Sequence, residues 1–240
     1  MPSLKTVFSR YEKKYVISRS DREKLLSAIG GNFNPDEFGK SLICNIYFDT
    51  PDYRLIRTSV EKPVFKEKLR IRSYGIPDRD SRVFVEIKRK YKGVVYKRRV
   101  GMTYENAVDF LCRNKKPDID SQIVSEVEYF KSFYGVIMPA VSMFYDRTAY
   151  YAKEDSSLRL TFDSSIRFRT QKLDLMLGDE GSPITSDDEI VMEIKSEKPF
   201  PLWLCETLDR LEIYPTTFSK YGIAYKQIMK EKTKTQPVTA

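Results

Sequence analysis

Residues 64–73 read Val-Phe-Lys-Glu-Lys-Leu-Arg-Ile-Arg-Ser. Side chains of a β-strand point alternately to its two faces, so one face of this segment is cationic and the other is largely apolar. The cationic side chains are Lys66, Lys68, Arg70 and Arg72. Four like charges on one face are destabilising unless an anion lies across them. The segment therefore predicts a strand whose polar face meets an anionic ligand.

The same alternation recurs along the chain. Period-two patterning predicts strands near residues 8–17, 42–50, 63–73, 82–91, 94–101, 138–151, 157–169 and 189–196. Helical patterns lie between them at residues 20–29, 105–115, 121–134, 202–211 and 220–230. The first helix is expected to begin with Ser20 as N-cap and Glu23 three residues on, a capping box. The sequence thus predicts an α+β fold, with one domain over residues 1–232 and a disordered tail over 233–240.

The charged faces of several strands are expected to converge. Eight antiparallel strands can close into a β-barrel whose lumen holds side chains or one small ligand. Here the lumen would be polar and basic, and helices would cover the apolar outside. For any single strand, an ordinary solvated face is the simpler interpretation. An outer-membrane barrel shares the pattern, but intervening helices, the missing signal sequence, and Lys13 and Arg89 on the would-be lipid face argue against it.

The composition limits the chemistry. Lys and Arg total 42 against 34 Asp and Glu, a net charge of +8, which favours an anionic partner such as nucleic acid, a membrane surface or a phosphorylated molecule. The chain has no histidine, which excludes a histidine base and a histidine-bound metal. A metal would need oxygen ligands, as Mg²⁺ or Mn²⁺ does. Nucleic acid ranks last, because the basic residues alternate along strands.

The cysteines and termini bear on location. Cys44, Cys112 and Cys205 lie in apolar stretches and are expected to be buried free thiols in a reducing compartment. The N-terminus lacks the apolar core of a signal peptide, and no segment reaches transmembrane length. The sequence therefore predicts a cytoplasmic protein without a membrane span, compatible with a membrane-protein partner. Its oligomeric state is left open.

Several short motifs occur in a set order. They are Glu12-x-Lys14, Lys68-x-Arg70-x-Arg72, Glu86-x-Lys88, Tyr145-Asp146-Arg147, Arg159-x-Thr161-x-Asp163, Glu193-x-Lys195 and Ser219-Lys220-Tyr221. Through these residues, from about Phe8 to Ile228, the chain resembles the VTC domain of the triphosphate tunnel metalloenzyme, or CYTH-like, superfamily. The resemblance implies an eight-stranded antiparallel tunnel that binds triphosphate or polyphosphate together with Mg²⁺ or Mn²⁺.

The resemblance also implies a reaction. Similar members are polyphosphate polymerases, which transfer the γ-phosphate of ATP to a growing inorganic polyphosphate chain and release ADP. The expected protein is therefore a metal-dependent phosphotransferase with ATP and polyphosphate as partners. Triphosphate-hydrolysing relatives usually open with Glu-x-Glu-x-Lys, whereas Arg10 replaces the first glutamate here. This departure favours the polymerase, with a triphosphatase or a non-catalytic polyphosphate-binding sensor as alternatives.

Site residues follow from the motifs. The residues expected to act on the reacting phosphates are Arg70, Arg72, Lys88, Arg147, Arg159, Lys195 and Lys220. Further phosphate contacts are expected from Arg10, Lys14, Lys68, Lys90, Lys97, Arg99 and Arg167. Guanidinium groups match phosphate oxygens in pairs, and lysines add movable charge. The metal is assigned to Glu193, with Glu12 and Glu86 behind it. For each residue, a cross-strand ion pair is the simpler alternative.

Some aromatic and acidic residues are ambiguous. Tyr47 and Asp49 share the inward parity and could contact the nucleotide, although Asp49 before Thr50-Pro51-Asp52 is equally typical of a turn. Trp203 and Tyr145 are expected to be core residues rather than platforms for a base.

Overall fold

A computed structural model of the chain describes residues 11–61, 63–92 and 94–235. Its strands are β1 (Tyr11–Ile17), β2 (Phe33–Asp49), β3 (Phe65–Tyr74), β4 (Arg82–Tyr91), β5 (Val94–Thr103), β6 (Met138–Ala152), β7 (Arg159–Arg169), β8 (Ser182–Pro183) and β9 (Ile190–Ser196). Its helices are α1 (Arg19–Ile29), α2 (Arg54–Val60), α3 (Tyr104–Cys112), α4 (Gln122–Tyr134), α5 (Leu202–Arg210) and α6 (Lys220–Thr235). Arg10 lies outside the described residues.

The strands form one antiparallel sheet in the order β1-β9-β7-β6-β2-β3-β4-β5, with β8 paired to β7. Together with the helices, this sheet confirms the α+β class. Within residues 11–235, apart from positions 62 and 93, no backbone pairing joins the end strands β1 and β5. Closure into an eight-stranded barrel therefore stays a prediction.

Two apolar cores lie on the outer face of the sheet. The first packs α3 and α4 onto strands β3 to β5 through side chains such as Phe110, Val127 and Val85. The second packs α1 and α5 onto β1, β7 and β9, with Leu25 and Leu204 among its buried members. Burying each such side chain stabilises the fold by roughly 1.5–3 kcal/mol. Helices thus cover the apolar face, as the sequence predicts.

The start of α1 differs from the prediction. Ser18, not Ser20, is the N-cap: its hydroxyl accepts a hydrogen bond from the Asp21 amide, and the Asp21 carboxylate accepts one from the Ser18 amide. The predicted box of Ser20 and Glu23 is wrong, because the Ser18–Asp21 pair already satisfies the first free amides of the helix.

The sequence does not predict α2, which follows β2 directly. Asp49, at the end of β2, is fully buried and caps this helix. Its Oδ1 accepts from the Leu55 amide at 2.8 Å and its Oδ2 from the Ile56 amide at 3.0 Å. The turn expected after Asp49 is present, but the carboxylate also starts a helix there. Asp49 is therefore a structural residue.

A third apolar cluster lies on the inner face of the sheet. There α6 packs Ala224 and Ile228 against Val141 and Met143 of β6, and Ile56 of α2 joins them. The helix continues to Thr235, so residues 233–235 of the expected tail belong to α6, and 236–240 lie outside the described residues. The inner face is therefore partly filled by α6, and the start of this helix contacts polar residues of the face, as in the bond from Lys220 to Asp163.

The cysteines are free, but only Cys44 is buried. Cys112 and Cys205 are exposed, so the prediction of three buried thiols is wrong for these two. Both lie on solvent-facing positions of amphipathic helices, α3 and α5. Among the residues described, no helix is long and apolar enough to cross a membrane.

Candidate functional site

The polar faces of distant strands meet. β1 and β4 are six steps apart in the strand order, which in a flat sheet would separate them by roughly 30 Å. Yet Lys88 Nζ on β4 lies 3.9 Å from Glu12 Oε2 on β1. The sheet therefore curls until its charged faces converge, as the strand patterns predict.

The converging face is strongly basic. Its basic side chains, read from the strand registers and the start of α6, are Lys14, Lys66, Lys68, Arg70, Arg72, Lys88, Lys90, Lys97, Arg99, Arg147, Arg159, Lys195 and Lys220. Its carboxylates are Glu12, Glu86, Asp163 and Glu193. The cations outnumber the carboxylates about three to one, so this face attracts anions.

Glu86 holds one group of these cations. Its carboxylate is 1% exposed, and its Oε2 accepts from Arg70 Nε at 2.8 Å and Nη2 at 2.6 Å. Lys97 Nζ lies 2.8 Å from the other oxygen, and Arg72 Nε lies 4.0 Å from Oε2. Burial alone would raise the pKa of Glu86, but Arg70, Arg72 and Lys97 hold it well below its usual range. Glu86 is thus a buried anion neutralised by three candidate phosphate ligands.

Arg72 is fixed by neutral partners. Its Nε donates to Asn45 Oδ1 at 2.9 Å, and its Nη2 donates to the Tyr145 hydroxyl at 2.9 Å. The cations of Arg147 and Lys220 lie over the Tyr145 ring, at 5.3 and 4.6 Å from its centre. Tyr145 is buried, as expected, but its hydroxyl belongs to the site. Its place in the Tyr-Asp-Arg motif was the available signal.

Asp163 joins two further cations. It accepts from Arg147 Nε at 2.6 Å and Nη2 at 2.8 Å, and from Lys220 Nζ at 2.6 Å. Burial favours the neutral acid, yet Lys220 and Arg147 lower the pKa of Asp163 to about 2. Lys220 is the first residue of α6, so the packing of that helix on the inner face carries its ammonium group into the site.

Glu12 and Glu193 form the third acidic group. Lys14 Nζ lies 3.6 Å from Glu12 Oε1 and 3.7 Å from Glu193 Oε1, and Lys195 donates to Glu193 at 2.7 Å. Burial opposes ionisation of Glu193, but Lys195, a hydrogen bond with Glu12, and Lys14 hold its pKa well below the usual range. Two of the three predicted metal ligands are therefore neighbours, while Glu86 contacts a separate set of cations.

No group of three or more Asp, Glu, Cys or His side chains suited to a metal occurs within the described ranges. A cation at Glu12 and Glu193 would therefore need additional oxygen ligands, such as phosphate and water, which is a common arrangement for Mg²⁺.

Tyr47 lies at the centre of the basic face. Its hydroxyl accepts from Arg70 Nη1 at 3.0 Å, and its ring stacks on Tyr221 with centres 4.8 Å apart. Burial favours the neutral phenol, but Arg70, Lys68 and Arg72 lower the pKa of Tyr47 to about 7. Lys68 in turn has a pKa lowered to about 8, by burial and by neighbouring lysines. Tyr47 is therefore surrounded by several positively charged side chains.

Arg167 does not reach this face. Opposite Phe144 to Asp146 of β6, the strand β7 has one extra residue, which is a β-bulge. Ser165 at this bulge adopts a φ of 50°. A bulge reverses the alternation that follows it. Arg167 consequently points to the opposite face, where it bonds Asp179. The expectation that Arg167 lines the lumen is wrong for this reason.

The remaining predicted residues lie on the inner face. Lys68 Nζ is 3.3 Å from Ser219 Oγ, and Lys14 Nζ is 3.4 Å from the Phe218 carbonyl oxygen. Lys90 and Arg159 are exposed there. Trp203, by contrast, belongs to the outer core, with its ring 6.2 Å from that of Phe33.

The profile of the VTC domain family matches residues 9–229. The chain belongs to this family. The match confirms the family predicted from the sequence motifs. A comparison with curated proteins gives no match for this VTC domain.

This VTC domain is similar to several solved structures. One is a candidate adenylate cyclase from Bacillus halodurans, with 15% identity and a TM-score of 0.56, covering 87% of this chain and 92% of that one. Another is a candidate adenylyl cyclase from Hippeastrum described as having a dominant triphosphatase activity, with 17% identity and a TM-score of 0.49, covering 90% and 95%. At 15% identity, the likeness to the Bacillus halodurans structure shows the fold alone.

Proposed function

We propose that this VTC domain is a polyphosphate polymerase, which transfers the γ-phosphate of ATP to the end of an inorganic polyphosphate chain. The observation that carries the proposal is the converging basic face, whose cations exceed its carboxylates about three to one. Such a face is stable with an extended polyanion along it, and a chain of phosphates supplies one negative charge at each unit.

The proposed reaction needs little covalent help from the protein. A terminal oxygen of the polyphosphate chain attacks the γ-phosphorus, the bond from that phosphorus to the β-bridging oxygen breaks, and ADP leaves. Arg70, Arg72 and Lys97 neutralise the charge that moves to the bridging oxygen. Lys88, Lys195 and Arg159 align the incoming chain. Positioning and charge neutralisation supply most of the rate in phosphoryl transfer.

The proposal includes a divalent cation, Mn²⁺ or Mg²⁺. Glu12 and Glu193 fit it, since they are neighbours and both lie within 4 Å of the Lys14 ammonium group, which phosphate and metal could displace. When bound, the cation would polarise the phosphoryl group. The choice of polymerase over triphosphatase rests on the family resemblance and on Arg10. A cytoplasmic location and a membrane-protein partner belong to the same proposal.

The products formed from ATP distinguish a polymerase from a triphosphatase. Purified protein given ATP and Mn²⁺ should make acid-stable phosphate polymer and an equivalent amount of ADP. Lys88→Ala should reduce this turnover at least tenfold, because it removes an inner-face cation. Lys13→Ala is the matched control: Lys13 is exposed on β1, with the opposite parity to Lys14.

Other outcomes would replace the proposal. Orthophosphate as the main product would indicate a triphosphatase. Tight binding of polyphosphate without turnover of ATP, in Mn²⁺ or Mg²⁺, would indicate a sensor.

A further inference from the structure

An aromatic and guanidinium cluster lies on the inner face beyond the phosphate ligands. Phe84 is its centre. Arg99 Cζ lies 4.6 Å from the centre of the Phe84 ring, Arg82 Cζ lies 5.7 Å from it, and the Tyr74 ring meets it edge-on at 6.1 Å. These distances lie within the usual range of cation–π and aromatic contacts.

The cluster is continuous with the phosphate site. Phe84 is paired with Arg72 across β3 and β4, and Arg99 is paired with Glu86 across β4 and β5. Phe84 and Glu86 are two residues apart on one strand, which is about 7 Å. That separation is close to the distance between the base of a nucleotide and its α-phosphate, which the ribose spans.

The cluster is also open to solvent. Tyr74 is 55% exposed, Arg82 and Arg99 are exposed, and Phe84 is half-buried. Neither arginine forms an ion pair with a carboxylate of the described residues. Guanidinium groups that stack on a ring and remain open on their other side offer a planar surface to a second aromatic group.

A glycine shapes this surface. A Cβ added at Gly101, which is paired with Phe84, would lie 3.0 Å from Arg82 Nε and 3.2 Å from Arg82 Nη2. The Arg82 guanidinium therefore lies beside Gly101, in space that a side chain at this position would need. A side chain at Gly101 would displace it.

We infer that Phe84, Arg99, Arg82 and Tyr74 form the base subsite of this VTC domain, where the purine ring of a nucleoside triphosphate stacks while its phosphates extend toward Arg72 and Glu86. The inference rests on the proposed function, because it takes ATP as the donor. The subsite gives the donor an attachment that inorganic polyphosphate cannot use.

The test compares two ligands with the same phosphate chain length. Calorimetric titration of wild type with ATP and with inorganic tripolyphosphate, in the same buffer and salt, separates base binding from phosphate binding. Phe84→Leu should weaken ATP binding about tenfold, the usual size of one base–aromatic stack. Its affinity for tripolyphosphate should stay within about twofold of wild type.

Two further variants, one in the subsite and one control, complete the test. Arg99→Lys retains the charge and loses the planar guanidinium, so it should weaken ATP binding by a larger factor than tripolyphosphate binding. Tyr96→Leu is the control, since Tyr96 is 41% exposed on β5 with the opposite parity to Arg99. Equal effects on both ligands, or equal effects of Phe84→Leu and Tyr96→Leu on ATP, would overturn the subsite. Failure of wild type to bind tripolyphosphate would instead overturn the proposed function.

Discussion

Replacing Glu86 with glutamine tests the electrostatic arrangement of the inner face. Glu86 is 1% exposed and neutralises Arg70 and Lys97 at 2.6 and 2.8 Å. Removing one partner of a buried ion pair costs about 3–5 kcal/mol, and the lower end applies here because the glutamine oxygen still accepts a hydrogen bond. For a chain of this size, about 3 kcal/mol corresponds to a fall in Tm of roughly 6–12 °C.

The same variant should bind phosphate chains more tightly. A unit negative charge about 7 Å from a phosphate costs about 2 kcal/mol at an effective dielectric constant near 20, which is roughly 30-fold in Kd. Calorimetry with tripolyphosphate in the absence of divalent cations measures this, and Glu23→Gln on the exposed face of α1 is the control. Saturating tripolyphosphate should also recover much of the lost Tm. Unchanged Tm, or weaker binding by Glu86→Gln, would refute the reasoning.

Three other predictions concern buried ionisable groups. For Tyr47, the folded pKa of about 7 lies below the ordinary value near 10, so its ionisation adds stability as pH rises from about 7 to 10 and adds none below. Denaturant titrations of wild type and Tyr47→Phe across that range should diverge with pH, and parallel curves would contradict this. Asp163→Asn should lose about 3–5 kcal/mol of unfolding free energy, since Arg147 and Lys220 would be left buried without their carboxylate. In wild type, the stability linked to the lowered pKa of Asp163, about 2 kcal/mol, is lost as pH falls from about 4 to 2. Urea denaturation at low pH would reveal this loss, and pH-independent stability there would count against it. Glu193→Gln should abolish Mn²⁺-dependent turnover while metal-free tripolyphosphate binding persists, and equal loss of both would remove Glu193 from the metal site.

The alternating strands could be read from the sequence because their faces differ so sharply. In β3, every second residue from Lys66 to Arg72 is basic, and the intervening Leu69 and Ile71 are fully buried. The burial of the apolar face fixes the register, since a slip by one residue would bury the cations instead. The same contrast predicted the convergence of the charged faces.

Features that depend on tertiary contacts could not be read. The bulge at Ser165 gives no glycine signal, so the alternation appeared to continue to Arg167. Asp49 was ambiguous because its partners, the amides of α2 and the Tyr221 hydroxyl at 2.9 Å, are set by the folded structure. Tyr145 was expected to be a core residue because the sequence does not show whether the hydroxyl of a buried tyrosine accepts a hydrogen bond from a site residue. Tyr47, in contrast, had the inward parity that marks a site residue, and its contact with Arg70 agrees with that parity.

The central claim is that polyphosphate lies on the inner face, and a comparison of adjacent lysines on β1 tests it most directly. Lys14 points inward and Lys13 is exposed with the opposite parity, so Lys14→Ala and Lys13→Ala remove the same charge from the two faces of one strand. The measurement is the Kd of long-chain polyphosphate for both variants at one salt concentration. We predict that Lys14→Ala weakens binding about tenfold and that Lys13→Ala leaves it within about twofold of wild type. Equal weakening by the two variants would show that polyphosphate binds through net charge alone and would contradict the account.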